Sequence, residues 1–422
     1  MTKDNTFSCV RIVAILMMAV SFSPQRMWGQ SGSWAGNCAA TFSTYDSENK
    51  NVTITSAGEL ALLAKNVGTE GISYEGYTFV LSTNIDLSAH YWVPIGTGAN
   101  AFNGTFDGGN HTISGLNITG TEYNVGLFGK AVGATISNLK VSAGSIAGDD
   151  NVGVLAGRLI DCTITNCSVS GATAVSLANS ADNSTALSDC QNKPCDVTLS
   201  GRTLYKDGSW NTICLPFDYD PAYGVLAGDG VEIYALTNAE IAGTRLNLFF
   251  GENVAGNNVM HAGKPYIIKW NNTGVHLSNP VFQGVVPRVT VPVDYDNGAS
   301  DGAKVRFRGT FSPQHLPAQD QSILFMGGDN TLYYPKSGTG TTIGACRAYF
   351  QIGSGTAAPQ LDNFDFTFGE KNVTRLKEID NGQLIMDNWI EGVWYTLDGR
   401  RLSVKPTQKG IYIINGKKGV IK

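Results

Sequence analysis

Charge is scarce in this chain. Only 15% of its 422 residues are Asp, Glu, Lys or Arg, and runs of the helix formers Ala, Glu and Lys are few. A helical bundle needs such residues on its solvent faces, so an all-α architecture is not expected. The formal net charge is −5, and no basic footprint of useful size interrupts it. Nucleic acid is therefore not expected as a partner, because phosphate backbones are held by clustered Lys and Arg. Absent as well are GxSxG, a glycine-rich nucleotide loop leading into a helix, an EF-hand loop and the nonapeptide calcium repeat, so no cofactor or metal is expected. Cysteine is too sparse for a disulfide-built scaffold. Beyond Cys9 there are seven, Cys38, Cys162, Cys167, Cys190, Cys195, Cys214 and Cys346. Their spacings are CxxxxC, never the CxxC of a zinc site. Cys190 and Cys195 flank QNKP in a loop and are the one candidate disulfide, in a chain expected to meet an oxidising compartment.

That compartment is inferred from the N-terminus. Lys3 and Arg11 precede the apolar run IVAILMMAVSF at 12–22, and the polar SPQRMWGQ follows. A basic start, a hydrophobic centre and a polar exit are the order of a secretory signal, here residues 1–30. The apolar run falls well short of the roughly 20 residues that cross a bilayer. The chain is therefore expected to be exported, either to the cell surface and outer membrane or into the medium.

Glycine is abundant, at 50 residues, and with Asn, Thr and Ser it supplies the special dihedrals of turns in β-rich folds. The strongest signal is a repeat. HTISGLNITG (111–120), ATISNLKVSA (134–143) and CTITNCSVSG (162–171) share Thr-Ile followed by inward slots, Leu116, Leu139 and Cys167, then Ile118, Val141 and Val169. NVGLFG (124–129) and NVGVLAG (151–157) recur between them. Short β-type runs repeating every 20-odd residues predict a solenoid, whose coils bury their apolar faces only by stacking. Upstream, ITSAGELALLAKNVG (54–68) predicts a helix with a Ser56/Glu59 capping box, placed to cap the first coil. The expected organisation is a solenoid with its capping helix over 31–175, a polar linker over 176–196 and an antiparallel β-sandwich over 197–370. A small β module over 371–422 has hairpin signals at Asp398-Gly399 and Asn415-Gly416. The fold class is all-β. From Asn372 onward nine basic residues face five acidic ones, so the tail is locally positive.

GLFG (126–129), with its longer copy GVLAG (153–157), resembles the GLUG motif of bacterial cell-surface proteins and of some secreted immunoglobulin proteases. VPIG (93–96) and FNGTFDGGNHTISGL (102–116) are similar to the lead-in of such repeats. The resemblance covers roughly residues 52–175 and implies a right-handed β-helical, adhesin-like stalk with no catalytic residue of its own. WNTICLPF (210–217), KPYIIKW (264–270) and CRAYFQI (346–352) are similar to segments of exported proteins of Bacteroides-type Gram-negative bacteria. WYTLDGRRL and KGIYIINGKKGVIK resemble the small C-terminal modules that serve as sorting signals for type IX export. That resemblance makes the export machinery an expected partner, through Arg400, Arg401, Lys417, Lys418 and Lys422, although charges on hairpin edges also guard against aggregation.

Candidate chemistry is thin. Asp107 and His111 lie four apart in a glycine cluster, with no nucleophile motif beside them. Polysaccharide cleavage on a β-helix face needs two carboxyls about 5–10 Å apart, which brings Asp86, Asp107, Asp149 and Asp150 into view, each also readable as a turn residue. Trp210, Trp270, Tyr333 and Tyr334 are the aromatic candidates for a sugar-stacking platform, against the commoner role of aromatics in a core. The expectation is a non-catalytic exported surface protein, adhesin-like, presenting binding surface to a host or environmental glycan or protein. The alternative is an extracellular protein that binds or degrades polysaccharide.

Overall fold

The computed structural model describes residues 32–369, apart from 121, 171, 229, 256–257, 272–273, 328–329 and 354–360, and beyond 369 the backbone of strand segments alone. The signal segment, residues 1–30, and the basic side chains of the tail lie outside the described residues. The chain is mostly β, in many small sheets, with two α-helices, α1 (Ala57–Gly68) and α2 (Ser184–Cys190), among the described residues.

The first half is a stack of parallel strands. Each pass of the chain adds one strand to each of several sheets. In one sheet Phe79 pairs with Phe106, Phe106 with Ile136 and Ile136 with Ile164. In the next, Ile85 pairs with Ile113, Ile113 with Val141 and Val141 with Val169. Alternation of side chains along each strand points these residues inward. Stacked like on like, they pack in one apolar core with the fully buried Leu116, Leu127, Phe128 and Leu139, and of the paired residues only Ile164 and Val169, on the last pass, are partly covered.

The repeat register differs from the expected one at its first copy. Segments 134–143 and 162–171 are equivalent, as Thr135–Thr163 and Val141–Val169 pairing requires. Segment 111–120 is not equivalent to 134–143, because Ile113 lies against Val141 and the partner of Ile136 is Phe106. Thr-Ile is generic β sequence and carries no register. Asparagine does: Asn110, Asn138 and Asn166, each 28 residues from the next, all hold positive φ, at 63°, 51° and 53°. Asparagine tolerates this left-handed corner because its short polar side chain bonds locally. The Asn166 amide donates to Asn138 Oδ1 at 3.2 Å, and the Asn138 amide donates to Asp107 Oδ1 at 3.0 Å. Asn151 donates to Asn124 at 2.9 Å in a second, buried ladder, where φ is again positive. The glycines of GLFG and GVLAG serve close approach between passes. A Cβ on Gly129 would lie 2.3 Å from the Gly96 carbonyl oxygen, and one on Gly157 would lie 2.4 Å from the Val125 nitrogen.

Helix α1 begins at its expected cap, Ser56, whose side chain accepts from the Glu59 N–H. The Glu59 carboxylate does not return to Ser56, as a capping box would. It accepts from Ser43 N at 2.6 Å and from Thr55 N and Oγ1 at 2.7 Å, tying the preceding loop to the helix. Leu60, Leu63, Ala64 and Val67 join the core of the stack at its first pass.

Residues 176–196 are not a linker. Strands Thr173–Ala178 and Cys195–Ser200 pair in parallel around α2. Leu187, Cys190 and Cys195 are buried there with Val197 and Phe282. The polar surface of this stretch is genuine, but it covers a few apolar residues spaced to point inward. Cys190 and Cys195 are neighbours in that core, and both are free thiols in the structure.

Downstream lie two five-stranded sheets. Asn211–Cys214, Pro265–Trp270, Val231–Ala242, Arg245–Phe250 and Asn363–Phe368 make one, with the last pair parallel rather than antiparallel. The other centres on Val305–Thr310 and Arg347–Ile352. Leu246, Leu248 and Phe250 of the first pack with Val305, Phe307 and Phe350 of the second in a shared core. VVPRVTVPV (285–293), though rich in valine, is strand only to Val285, since Pro287 and Pro292 have no N–H to give a ladder. In the tail, Trp394–Tyr395 pairs with Arg401–Leu402 and Gly410–Ile414 with Lys417–Ile421, both antiparallel across the two expected turns.

Candidate functional site at the end of the parallel stack

A stack of this kind ends with an uncovered cross-section. Here the last pass leaves Ala156–Ile160 and Thr163–Thr165 at the edges of their sheets, and Leu155, Leu159, Ile164 and Cys167 only partly covered. The second half of the chain packs over part of this end. Val286 enters the core of the stack. The QNKP loop closes on it too, with Asn192 O accepting from Ile146 N at 3.0 Å.

A charged clamp fixes the two halves. Asp218, 2% exposed, receives Arg288 Nε and Nη2, both at 2.9 Å. It also receives Val152 N of the stack at 2.9 Å and Ala262 N at 2.6 Å. Arg288 reaches Asp150 at 3.3 Å and donates to the Asp149 carbonyl. His261 Nδ1 lies 2.6 Å from Asp150 Oδ1. Burial would raise the Asp150 carboxyl, but the His261 contact, the Asn151 N–H and the Arg288 charge together hold it below its usual range. Asp150, Asp218 and His261 lie within 4.8 Å of one another, a spacing that would suit a metal ion. The guanidinium of Arg288 already supplies the positive charge among them, so the group is an ion-pair network.

Beside the clamp a cleft of about 420 Å³ remains between the last pass and the second half, within the usual size range of ligand pockets. Its walls are mainly apolar, with Val154, Leu159, Ile164 and Val169 on one side and Val225 and Val285 on the other. Its polar groups come chiefly from the sequence DYDPAY: Asp218, Tyr219, Asp220 and Tyr223. Tyr219 donates to the Tyr223 carbonyl at 2.8 Å, and Tyr223 donates to the Cys162 carbonyl at 2.9 Å, so the loop is anchored to itself and to the stack. Burial pushes Asp220 up to about 6, against the Ala222 N–H and the charge of Arg158, which favour the carboxylate. Burial also raises the Cys167 thiol, which makes it a poor nucleophile at neutral pH. The cleft is equipped to bind.

The sequence candidates fall elsewhere or change role. Asp107 accepts from Gly109 N at 3.0 Å and heads the asparagine ladder, and no hydrogen bond joins it to His111 among the described residues. Asp86 accepts from Ser88 N at 2.9 Å, as a turn residue. Asp150 was read as a turn residue and belongs to the clamp. Trp210 and Trp270 are buried, at 8% and 1% exposure, and Trp210 stacks on Phe368; neither has a free face for a sugar. The Tyr334 hydroxyl is bonded to Leu361 O and N. Tyr333 is exposed and packs its ring near Phe325. The structure does not bring the four together on one platform. The aromatic file it does display is Phe42, Tyr45 and Tyr77, with ring planes within 20° and 10° of their neighbours and Lys50 Nζ 5.6 Å from the Tyr77 ring. Sequence reading missed Asp218, Asp220, His261 and Arg288. The signal available was the dense run of Asp and Tyr directly after the noted WNTICLPF.

No helix among the described residues is long and apolar enough to cross a membrane. Comparison of the chain with protein-family models, with curated proteins and with solved structures finds no match in any of the three.

Proposed function

We propose that this chain is an exported, non-catalytic binding protein of adhesin-like build, and that its ligand seat is the cleft at the end of the stack. In this reading residues 31–175 form a short right-handed β-helix of the GLUG-like kind, residues 197–370 a β-sandwich and residues 371–422 a sorting or attachment module. The observation that carries the proposal is the cleft itself, a mainly apolar concavity between the stack and the second half, bordered by a buried ion-pair clamp and lined by one anchored acidic-aromatic loop. Binding sites favour such junctions between units. The ligand is a host or environmental protein or glycan. The test is adhesion of the purified chain to host-matrix and glycan surfaces, wild type against Ile164→Trp, which fills the cleft from an edge strand. Retained adhesion in a folded Ile164→Trp chain would count against the cleft.

One observation favours a second reading, glycan binding on the face of the stack. Phe42, Tyr45 and Tyr77 form a near-parallel file of rings, with Tyr45 49% exposed, and sugar rings stack on such surfaces. Glycan-array binding abolished by Tyr45→Ala but not by Ile164→Trp would establish this reading over the first. Release of reducing ends from any glycan would overturn the non-catalytic assignment.

A further inference from the structure

We infer that the cleft is a cation site: it takes a primary ammonium group carried on an apolar stem, with the ammonium against the Asp220 carboxyl and the stem along Leu159, Ile164 and Val225. The inference rests on the cleft being a ligand seat and goes on to name what sits there.

The first ground is the sign of the lining. Three carboxylates, Asp196, Asp218 and Asp220, face the cleft, and among the described residues no Lys, Arg or His does. Asp218 is already neutralised by Arg288. Asp196 is engaged by the Gly284 N–H at 2.8 Å. Asp220 is different: its one hydrogen-bond donor among the described residues is Ala222 N at 3.0 Å, on Oδ1, so Oδ2 is left to face a ligand. Arg158 is close enough to influence Asp220 but forms no ion pair with it among the described residues. A half-buried carboxyl with one oxygen unengaged favours a cation that brings its own donors. An anion would meet the like charge of Asp220 at the cleft wall.

The second ground is the shape of the remainder. Beyond Asp220 the walls are mainly Val, Leu and Ile, which reward an apolar stem; the other polar groups are Ser168 and Gln283, the Tyr219 and Tyr223 hydroxyls, already bonded to carbonyls, and the engaged carboxylates Asp196 and Asp218. A cleft of about 420 Å³ has room for one alkyl or aryl stem. Two sources carry this chemistry, a free alkylamine and the lysine side chain of a protein partner. The strand Ala156–Ile160 is an edge strand, paired on one side only among the described residues, and would let an extended peptide lie alongside while its lysine enters.

The experiment is calorimetric titration of the folded chain with hexylamine, hexan-1-ol and hexanoate, and with the peptide acetyl-Val-Lys-Val-amide. Hexylamine is expected to bind at least about tenfold more tightly than the alcohol, with hexanoate weaker still, and Asp220→Asn should remove that advantage. The Asn side chain keeps the Ala222 hydrogen bond and places no charge in an apolar wall, so the variant is expected to fold. Peptide tighter than hexylamine would identify a protein lysine as the occupant; the reverse order would identify a free amine. Equal affinity for the amine and the alcohol, no saturable amine binding at millimolar concentration, or amine binding unchanged in Asp220→Asn would each overturn the cation assignment. Loss of adhesion in Ile164→Trp, alongside any of those results, would leave the cleft as the ligand seat with a different ligand.

Discussion

Replacing Arg288 by Met tests whether the clamp holds the two halves together. The substitution keeps most of the stem volume and removes the guanidinium, leaving Asp218 charged at 2% exposure. Breaking a buried pair from one side costs about 3–5 kcal/mol, because the remaining charge is stranded. Asp218 keeps two charge-assisted bonds, from Val152 N and Ala262 N, which offset part of that, so the lower end, about 3 kcal/mol, is expected. Asp218→Asn should cost about as much, since its amide must turn an NH₂ toward one of those two N–H donors. The double variant strands no charge and should fall short of the sum by about 2 kcal/mol. Urea denaturation of the four proteins, followed by circular dichroism and tryptophan fluorescence, gives the cycle. Loss of the guanidinium should also separate unfolding of the two halves into distinct transitions. A cost below about 1 kcal/mol for Arg288→Met, or costs that add within about 0.5 kcal/mol, would refute a buried, coupled clamp.

Further outcomes follow from other sites. Asp220, raised from the usual carboxylate range to about 6 by burial, takes up a proton on folding. Its contribution to stability is present at acid pH and lost as pH rises from about 4 to about 6. The groups facing it are Arg158, Tyr219 and Tyr223, and burial pushes both tyrosine hydroxyls above their usual range, up to about 12. Asp220→Asn should flatten the decline in melting temperature there, and an unchanged pH profile would contradict the assignment. Glu59 has the opposite sign. Burial opposes ionisation, but the bonds from Ser43 and Thr55 hold it down at about 2, so its contribution is present above the usual carboxylate range and lost as pH falls from about 4.5 toward 2. Glu59→Gln should cost about 2–4 kcal/mol at pH 7 by turning an NH₂ group toward those buried donors, measured by urea denaturation; a cost under 1 kcal/mol would count against it. Asn138→Gly keeps the left-handed corner and breaks the ladder, whereas Asn138→Ala breaks both, so Ala should be the more destabilising by about 1 kcal/mol. Equal losses would show that the corner carries no strain. Deleting residues 389–422 is expected to abolish surface delivery in cell fractionation, and unchanged delivery would sink the sorting role.

Much of the first half was decided by sequence alone. Short β runs, recurring glycines and a Ser56-capped helix admit little but stacked strands closed at one end, because no single pass can bury its own apolar face. The equivalence of 134–143 with 162–171 was legible for the same reason, and so were the two tail hairpins at Asp-Gly and Asn-Gly. Register at the first repeat was not. Thr112-Ile113 and Thr135-Ile136 look alike, yet the corner at Asn110, Asn138 and Asn166 sets the phase, and a left-handed corner is visible only in the backbone. The junction was hidden more deeply. Asp150, Asp218, His261 and Arg288 are separated by up to 138 residues in the chain, and nothing local in any one of them predicts the others. Trp210 and Trp270 show the same limit from the other side: composition marks them as aromatic, but burial, decided by which sheet covers which, makes them core. Sequence fixes period, turn chemistry and the sign of local charge because these depend on neighbours a few residues away. Where the stack ends, what covers it and which carboxylate is left facing the cleft depend on how distant segments pack, and tertiary structure alone decides them.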